Sequence, residues 1–480
     1  MNEFKIFINQ IGVIGLSRII IMAIGIFYLP LFTKLAGAEG YGIWTQIVLL
    51  IALLQPFVQL GLGGSVLRFL TNKNRHELSV GICTALVSVI FIGLIFIFLQ
   101  IGFSSVLAQY LLQDPSAIFL IQLSAPLILL GALIDVSSNF YRVTHAFMII
   151  SVINLFQAIL EIILITGSLF YGYGIQGAII SILFVRSAIV IIILTDIYLK
   201  VGISFPNFSW LKDYLIYGIP LIFIGLFEIL IQSSDRFFIG YYLGAAAVGI
   251  YSAAYSIACI PVFIVAIVMY ILYPTIYRLY ENNDIEKLKM FLQYSWKYLL
   301  LLLIPAIFGL SVLSSSLLTL LTTPEFVQEG IYIIPVVSVT NILVALIAIY
   351  VGILTIRKKS HIILVANGIS VLTNIILNII LIPKFGILSA AFTTVIAYLT
   401  LVFICYHESR FIRFNMSWLF LGKSIFASSI MVIPILYIAP NSLLSIIFSI
   451  IIGTLVYFSI LFILKGFSKQ EIHFIKKFRV

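Results

Sequence analysis

Charged side chains are scarce in this 480-residue chain. Asp, Glu, Lys and Arg together make up 9% of it, against roughly 25% in a soluble globular protein. With a mean hydropathy of +1.22, that scarcity excludes a sizeable soluble domain, and every loop is too short to hold one. Cysteine is nearly missing as well. Cys83, Cys259 and Cys405 all fall inside apolar blocks, which argues against a disulfide framework or a thiolate metal site and leaves packing as their role. The five histidines (His76, His145, His361, His407 and His473) are scattered over block ends and loops and show no metal-ligand spacing. The phosphate-cradling pattern GxxxxGK[ST] does not occur, so ATP use by this chain is not expected. No cofactor is implied.

What the sequence does have is apolar blocks of about 20 residues, the length that crosses a bilayer as a helix. The alternating ten-residue segments of a membrane barrel are missing. The expectation is an all-α polytopic membrane protein with about 14 transmembrane helices. The spans fall near 10–32, 43–66, 79–101, 117–140, 145–170, 174–198, 214–240, 246–273, 292–314, 330–356, 361–382, 386–406, 419–439 and 442–464. The first block lacks a small-residue cleavage site and reads as a span, not a signal peptide. Of the 27 Lys and Arg, 22 fall in one set of loops together with both termini. Only Lys34 and Lys384 fall in the other set, and Arg18, Arg186 and Arg236 lie within spans. By the positive-inside rule both termini are cytoplasmic, and the protein sits in the cell membrane. The formal charge of +10 is therefore a topology signal, and no nucleic-acid partner is expected.

The chain also resembles itself. LAGAEGYGIW (Leu35–Trp44) returns as LGAAAVGIY (Leu243–Tyr251). YGIQGA (Tyr173–Ala178) returns as FGILSA (Phe385–Ala390). Gln157, Glu161 and the following IILI align with Asn374, Asn378 and their own IILI. Equivalent loops lie on the same side, so the two six-helix repeats are parallel. They predict a two-lobed bundle plus two C-terminal helices: residues 1–200, 201–407 and 408–480. Repeats related by an axis along the membrane normal are a transporter signature.

Seven ionisable side chains inside the predicted spans stand out: Arg18, Asp135, Glu161, Arg186, Glu228, Asp235 and Arg236. Each is costly in hydrocarbon unless it is paired or faces water. All belong to spans 1–7. Polar stripes accompany them at helical spacing: Glu228, Gln232 and Asp235 in span 7; Asn154, Gln157 and Glu161 in span 5; Asn367, Asn374 and Asn378 in span 11. Such stripes face protein or water, never lipid. Two readings stay open. In one, the charges pair off and hold helices together, with Arg186 and Glu161 matched in depth on consecutive antiparallel helices. In the other they line a wet cavity between the halves. There Arg18, Arg186 and Arg236 would hold an anionic head group through bidentate guanidinium contacts. Asp135, Glu161, Glu228, Gln232, Asp235, Asn374 and Asn378 would then line the cavity or couple an ion. Gly218 with Pro220 opens span 7 as a hinge or a static kink.

The segment YGIPLIFIGLFEILIQSSDRFFIGYYLGAAAVGIYSAAY (Tyr217–Tyr255) carries an Asp-Arg pair, a Leu-Gly turn and a Val-Gly-Ile-Tyr-Ser run. It resembles the start of the second half in polysaccharide-export flippases of the multidrug, oligosaccharidyl-lipid and polysaccharide exporter superfamily. LPLFTKLAGAEGYGIWTQ (Leu29–Gln46) is similar to that family's first hairpin, and NIILNIILIPKFGILSAAFTTVIAYL (Asn374–Leu399) to its spans 11 and 12. The resemblance implies six plus six helices with two more in the fourteen-span members. It implies a polyprenyl diphosphate-linked oligosaccharide carried from the cytoplasmic to the outer leaflet, with cavity arginines on the diphosphate or an acidic sugar. Membrane lipids would be its surroundings, and H+ or Na+ an optional driving ion. Glycosyltransferases and a polymerase of the same pathway would be its neighbours. Two other functions compete. A multidrug/cation antiporter of the same superfamily would want an acidic, aromatic-lined cavity. A membrane-embedded polysaccharide enzyme would want catalytic residues on a sizeable loop, which loops 199–213, 274–291 and 315–329 do not offer.

Overall fold

The computed structural model describes residues 20–467, apart from the side chains at 22, 23, 26 and 224, and residues 2–19 as helical backbone only. Its helices are α1 (Asn2–Gln59), α2 (Leu62–Phe69), α3 (Arg75–Gly102), α4 (Ser104–Leu107), α5 (Ile118–Ser124), α6 (Pro126–Val143), α7 (Phe147–Phe170), α8 (Gly174–Val201), α9 (Ser209–Leu243), α10 (Ala245–Ala258), α11 (Val262–Glu281), α12 (Ile285–Val312), α13 (Ser314–Leu321), α14 (Pro324–Ile356), α15 (Ser360–Phe385), α16 (Ile387–Glu408), α17 (Trp418–Ile438) and α18 (Leu443–Ile463). No strand occurs among the described residues. Thirteen helices there are long and apolar enough to cross a membrane. This agrees with about fourteen spans, because α1 holds the first two, separated at Gly37. The side chains of residues 10–19 in the first span, and the cationic tail from Lys469 to Arg479, lie outside the described residues.

Helix ends follow from local chemistry. Asn74 starts α3 with a capping box: its side chain accepts from the Glu77 amide at 2.9 Å, and Glu77 accepts from the Asn74 amide at 3.3 Å. Ser442 and Ser445 do the same at α18. The predicted span 8 is in fact two helices, α10 and α11, with the break just before Pro261, whose ring cannot continue the preceding helix. A broken helix at membrane depth needs its freed carbonyls satisfied. Asn341 of α14, fully enclosed, does this by donating to the Ala258 carbonyl at 2.9 Å. Span 4 breaks in the same way before Pro126. Helix α9, by contrast, runs unbroken through Pro220.

Two compact units are present, one ending at Gly249 and the other beginning at Ile250. In the first, α1 packs on α6, α7 and α9, and α3 on α6. Gly37 (φ 70°, ψ −174°) and Gly244 (φ 84°, ψ 175°) take the same backbone conformation at equivalent turns. It is essentially open only to glycine. Just beyond them, a Cβ on Gly42 would lie 1.8 Å from the Ala245 carbonyl, and one on Gly249 would lie 2.0 Å from the Ala38 carbonyl. Each turn grips the other in the same way, which is the pattern a local two-fold axis produces. In the second unit, α14 packs on α16 and α12 on α17. Polar groups join these helices: Trp296 donates to the Met416 carbonyl at 3.0 Å, and Tyr457 to the Leu301 carbonyl at 3.0 Å. Helix association in lipid relies on such bonds and on close packing, since apolar burial against apolar tails drives little. Phe91, Phe184, Leu444 and Phe462 stand exposed, as hydrocarbon contact requires.

Candidate functional site

Most of α6 is buried, but one narrow face is not. Asp135, Ser138, Asn139 and Arg142 follow the helical repeat, and all four are accessible while their neighbours are enclosed. Asp135 keeps accessible surface in a helix that is otherwise mostly buried. The last turns of α1 supply its partners. Gln55 and Gln59 each donate from Nε2 to the Asp135 Oδ2 at 2.6 Å. Asn139 donates to the Asp135 carbonyl at 3.0 Å, and Arg142 to the Asn139 Oδ1 at 3.4 Å.

Glycines make room for these side chains. A Cβ on Gly131 would sit 2.5 Å from the Gln55 Oε1, and one on Gly63 would sit 2.6 Å from the Asn139 Nδ2. Helix α1 ends immediately after Gln59, where Leu60 and Gly61 turn left-handed (φ 52° and 66°). Gly61 there lies directly against the backbone of Gly218 in α9. That close approach gives Gly218 a packing role.

A second charged group adjoins the first. Arg186 of α8 meets Glu161 of α7 through Nε at 3.2 Å, and Gln157 donates to the same Glu161 oxygen at 2.9 Å. The side chains keep 25% and 13% of their surface accessible. Arg186 is also within electrostatic range of Asp135, and Tyr28 of α1 within range of both Glu161 and Arg186. Among the described residues the two terminal nitrogens of Arg186 form no hydrogen bond. The pair is thus anchored on one edge and open on the other.

The remaining sequence candidates are placed differently. Glu228 and Gln232 are accessible on α9. Asp235 is 1% exposed and accepts the Arg236 amide at 2.9 Å, while Arg236 donates from Nη1 to Ser233 at 2.9 Å. Asn374 and Asn378 are fully enclosed: Asn378 donates to Asn374 at 2.9 Å and accepts from Thr393 of α16. This stripe faces a neighbouring helix, so it joins α15 to α16 and does not present an open wall. The side chain of Arg18 lies outside the described residues.

Sequence reasoning did not single out Gln55, Gln59, Asn139 or Arg142. Gln55 and Gln59 are an i, i+4 pair in a predicted span, and Asp135, Asn139 and Arg142 share an i, i+4, i+7 face. These spacings were the available signals. Arg142 lies just past the predicted 117–140 span and so counts among the 22 loop cations by sequence, although it belongs to the last turn of α6.

The architecture is that of a multi-pass helical membrane protein with the fold of known lipid flippases and drug transporters. It matches lipid II flippase MurJ in an inward closed conformation with a TM-score of 0.80 at 18% identity, covering 94% of this chain and 98% of that one. It matches an inward-facing multidrug resistance MATE family transporter of the MOP superfamily with a TM-score of 0.65 at 15% identity, covering 84% and 94%. At these identities the likeness is one of fold.

The sequence relationship is narrower: residues 31–328 match the family described as polysaccharide biosynthesis protein, and the chain belongs to it. It is also 27% identical over 263 residues to a Haloferax volcanii protein described as a probable low-salt glycan biosynthesis flippase, Agl15. That alignment covers 54% of this chain and 55% of the relative, so the chain spans about half the length of the curated relative it matches.

Proposed function

We propose that the protein is a flippase that moves a lipid diphosphate-linked oligosaccharide from the cytoplasmic to the outer leaflet by alternating access, for cell-surface polysaccharide synthesis. The observation that carries this reading is the accessible ionic interior of the first unit. There Asp135, Glu161 and Arg186 share a helix bundle whose outside is apolar. A glycan head group is too polar to enter hydrocarbon unaided, and such an interior can hold it while the lipid tail stays in the bilayer. The open edge of Arg186 suits a phosphate oxygen. Arg18 and Arg236 are the other proposed anion contacts. Asp135 and Glu161 are the groups suited to couple H+ or Na+, with the polar residues of α9 in a supporting place. The chain acts as a carrier and not an enzyme, resides in the cell membrane with both termini cytoplasmic, and works beside the pathway's glycosyltransferases and polymerase. Its halves are the 1–200 and 201–407 repeats, with 408–480 appended.

The fold shared with a MATE transporter supports one rival, cation antiport. Reconstitution separates the two. Purified protein in liposomes should bring a fluorescent polyprenyl diphosphate-linked oligosaccharide to the opposite leaflet. Arg18→Ala and Arg186→Ala should abolish that movement while leaving membrane insertion intact. Uptake of an organic cation with no glycolipid movement would overturn the reading, and wild-type flipping by both variants would remove the arginines from it.

A further inference from the structure

The accessible face of α6 is more specific than a generic wet wall. It carries a carboxylate at one end, a guanidinium at the other and amides between and opposite. Two helical turns separate Asp135 from Arg142, about 10 Å along the axis. Asp135 is held by two glutamine amides on a single oxygen, Oδ2. Its Oδ1 has no hydrogen bond among the described residues. The amide oxygens of the two glutamines have no hydrogen bond among the described residues, which together with that carboxylate oxygen gives a cluster of unpaired acceptors. Hydroxyl groups satisfy such a cluster, whereas an anion would be repelled by it. Arg142, exposed and, among the described residues, hydrogen-bonded only through the long 3.4 Å contact to Asn139, offers the opposite chemistry. Gly131 and Gly63 are the sites where a larger residue would displace Gln55 and Asn139, so the polar arrangement is built into the backbone packing.

We propose that this face is a head-group site for a glycosyl phosphate. Sugar hydroxyls are bound by Asp135, Gln55 and Gln59, and the phosphate is held at the Arg142 rim. The inference rests on the flippase reading and deepens it. It divides recognition between a sugar end and an anion end about two turns of α6 apart, and it makes Gln55 and Gln59 discriminate glycosylated from bare lipid.

The test measures binding to full-length protein in nanodiscs with two probes: a short-chain polyprenyl diphosphate carrying a disaccharide, and the same lipid without sugar. Gln55→Leu/Gln59→Leu should weaken the glycosylated lipid roughly tenfold or more, the loss expected for one or two hydrogen bonds, and leave the bare lipid unchanged. Asp135→Asn, which keeps the shape, should show the same selectivity with a smaller loss. Arg142→Gln should weaken both probes alike. Equal affinity of every variant and wild type for both probes would overturn the site and leave the flippase reading standing. Failure of the wild type to bind either probe would overturn both.

Discussion

Glu161 and Asn378 occupy matching places in the two repeats. Each follows an amide residue four positions earlier and precedes the same IILI run. Their surroundings are opposite. Glu161 is ionic, partly accessible, and tied to an arginine about three turns into the next membrane helix. Asn378 is neutral, fully enclosed, and tied to Asn374 and Thr393. The connections differ too: Gly174 lies thirteen positions after Glu161, but Gly386 only eight after Asn378. A short amide closes a tight contact with a hydroxyl on the neighbouring helix. A Glu–Arg pair is longer and needs room and polarisable surroundings to offset its desolvation. The same scaffold slot therefore holds an enclosed amide contact in one unit and a partly accessible ion pair in the other.

Where the repeats agree, substitutions should agree, and these effects should be the largest. Gly42→Val and Gly249→Val both drive a side chain into a backbone carbonyl. Each should cost roughly 3 kcal/mol or more and abolish monodisperse protein on size-exclusion chromatography. Survival of only one would break the two-fold relation of the turns. Where the repeats differ, responses should part. Glu161→Ala leaves Arg186 half-enclosed without its partner and should cost about 2 kcal/mol in thermal unfolding, with Arg186→Leu restoring part of the loss in the double variant. Asn378→Ala should cost about 1–2 kcal/mol by stranding buried polar groups, and no charge reversal elsewhere should rescue it. The smallest effect belongs to Gly167, in the longer connection of the first repeat. A Cβ there meets nothing within 4 Å, so Gly167→Ala should stabilise α7 by about 0.5–1 kcal/mol.

Much of this was open to inspection in the residues themselves. Hydropathy placed the spans because a helix in lipid must be apolar for its whole length, whatever it packs against. The Glu161–Arg186 pair could be anticipated from matched depth on consecutive helices. Other features hid for physical reasons. A polar stripe shows that a face avoids lipid but not whether protein or water covers it, and so Asn374 and Asn378 read like Gln157 and Glu161. Gln55 and Gln59 carry no charge to draw attention. Their link to Asp135 spans about 80 residues and depends on α1 stopping at Gln59. A proline such as Pro261 inside an apolar block signals a bend, and only the enclosed Asn341 explains how a full break is tolerated there.

Thiol accessibility tests the contrast most directly. In a background with Cys83, Cys259 and Cys405 replaced by alanine, single Asp135→Cys and Asn378→Cys variants in nanodiscs would be exposed to a charged, water-soluble methanethiosulfonate. The reagent reacts with the ionised thiol and so needs water at the site. Modification at position 135 should be roughly tenfold faster or more than at position 378. Equal rates at the two positions, or a protected thiol at 135, would contradict an open ionic interior in the first unit.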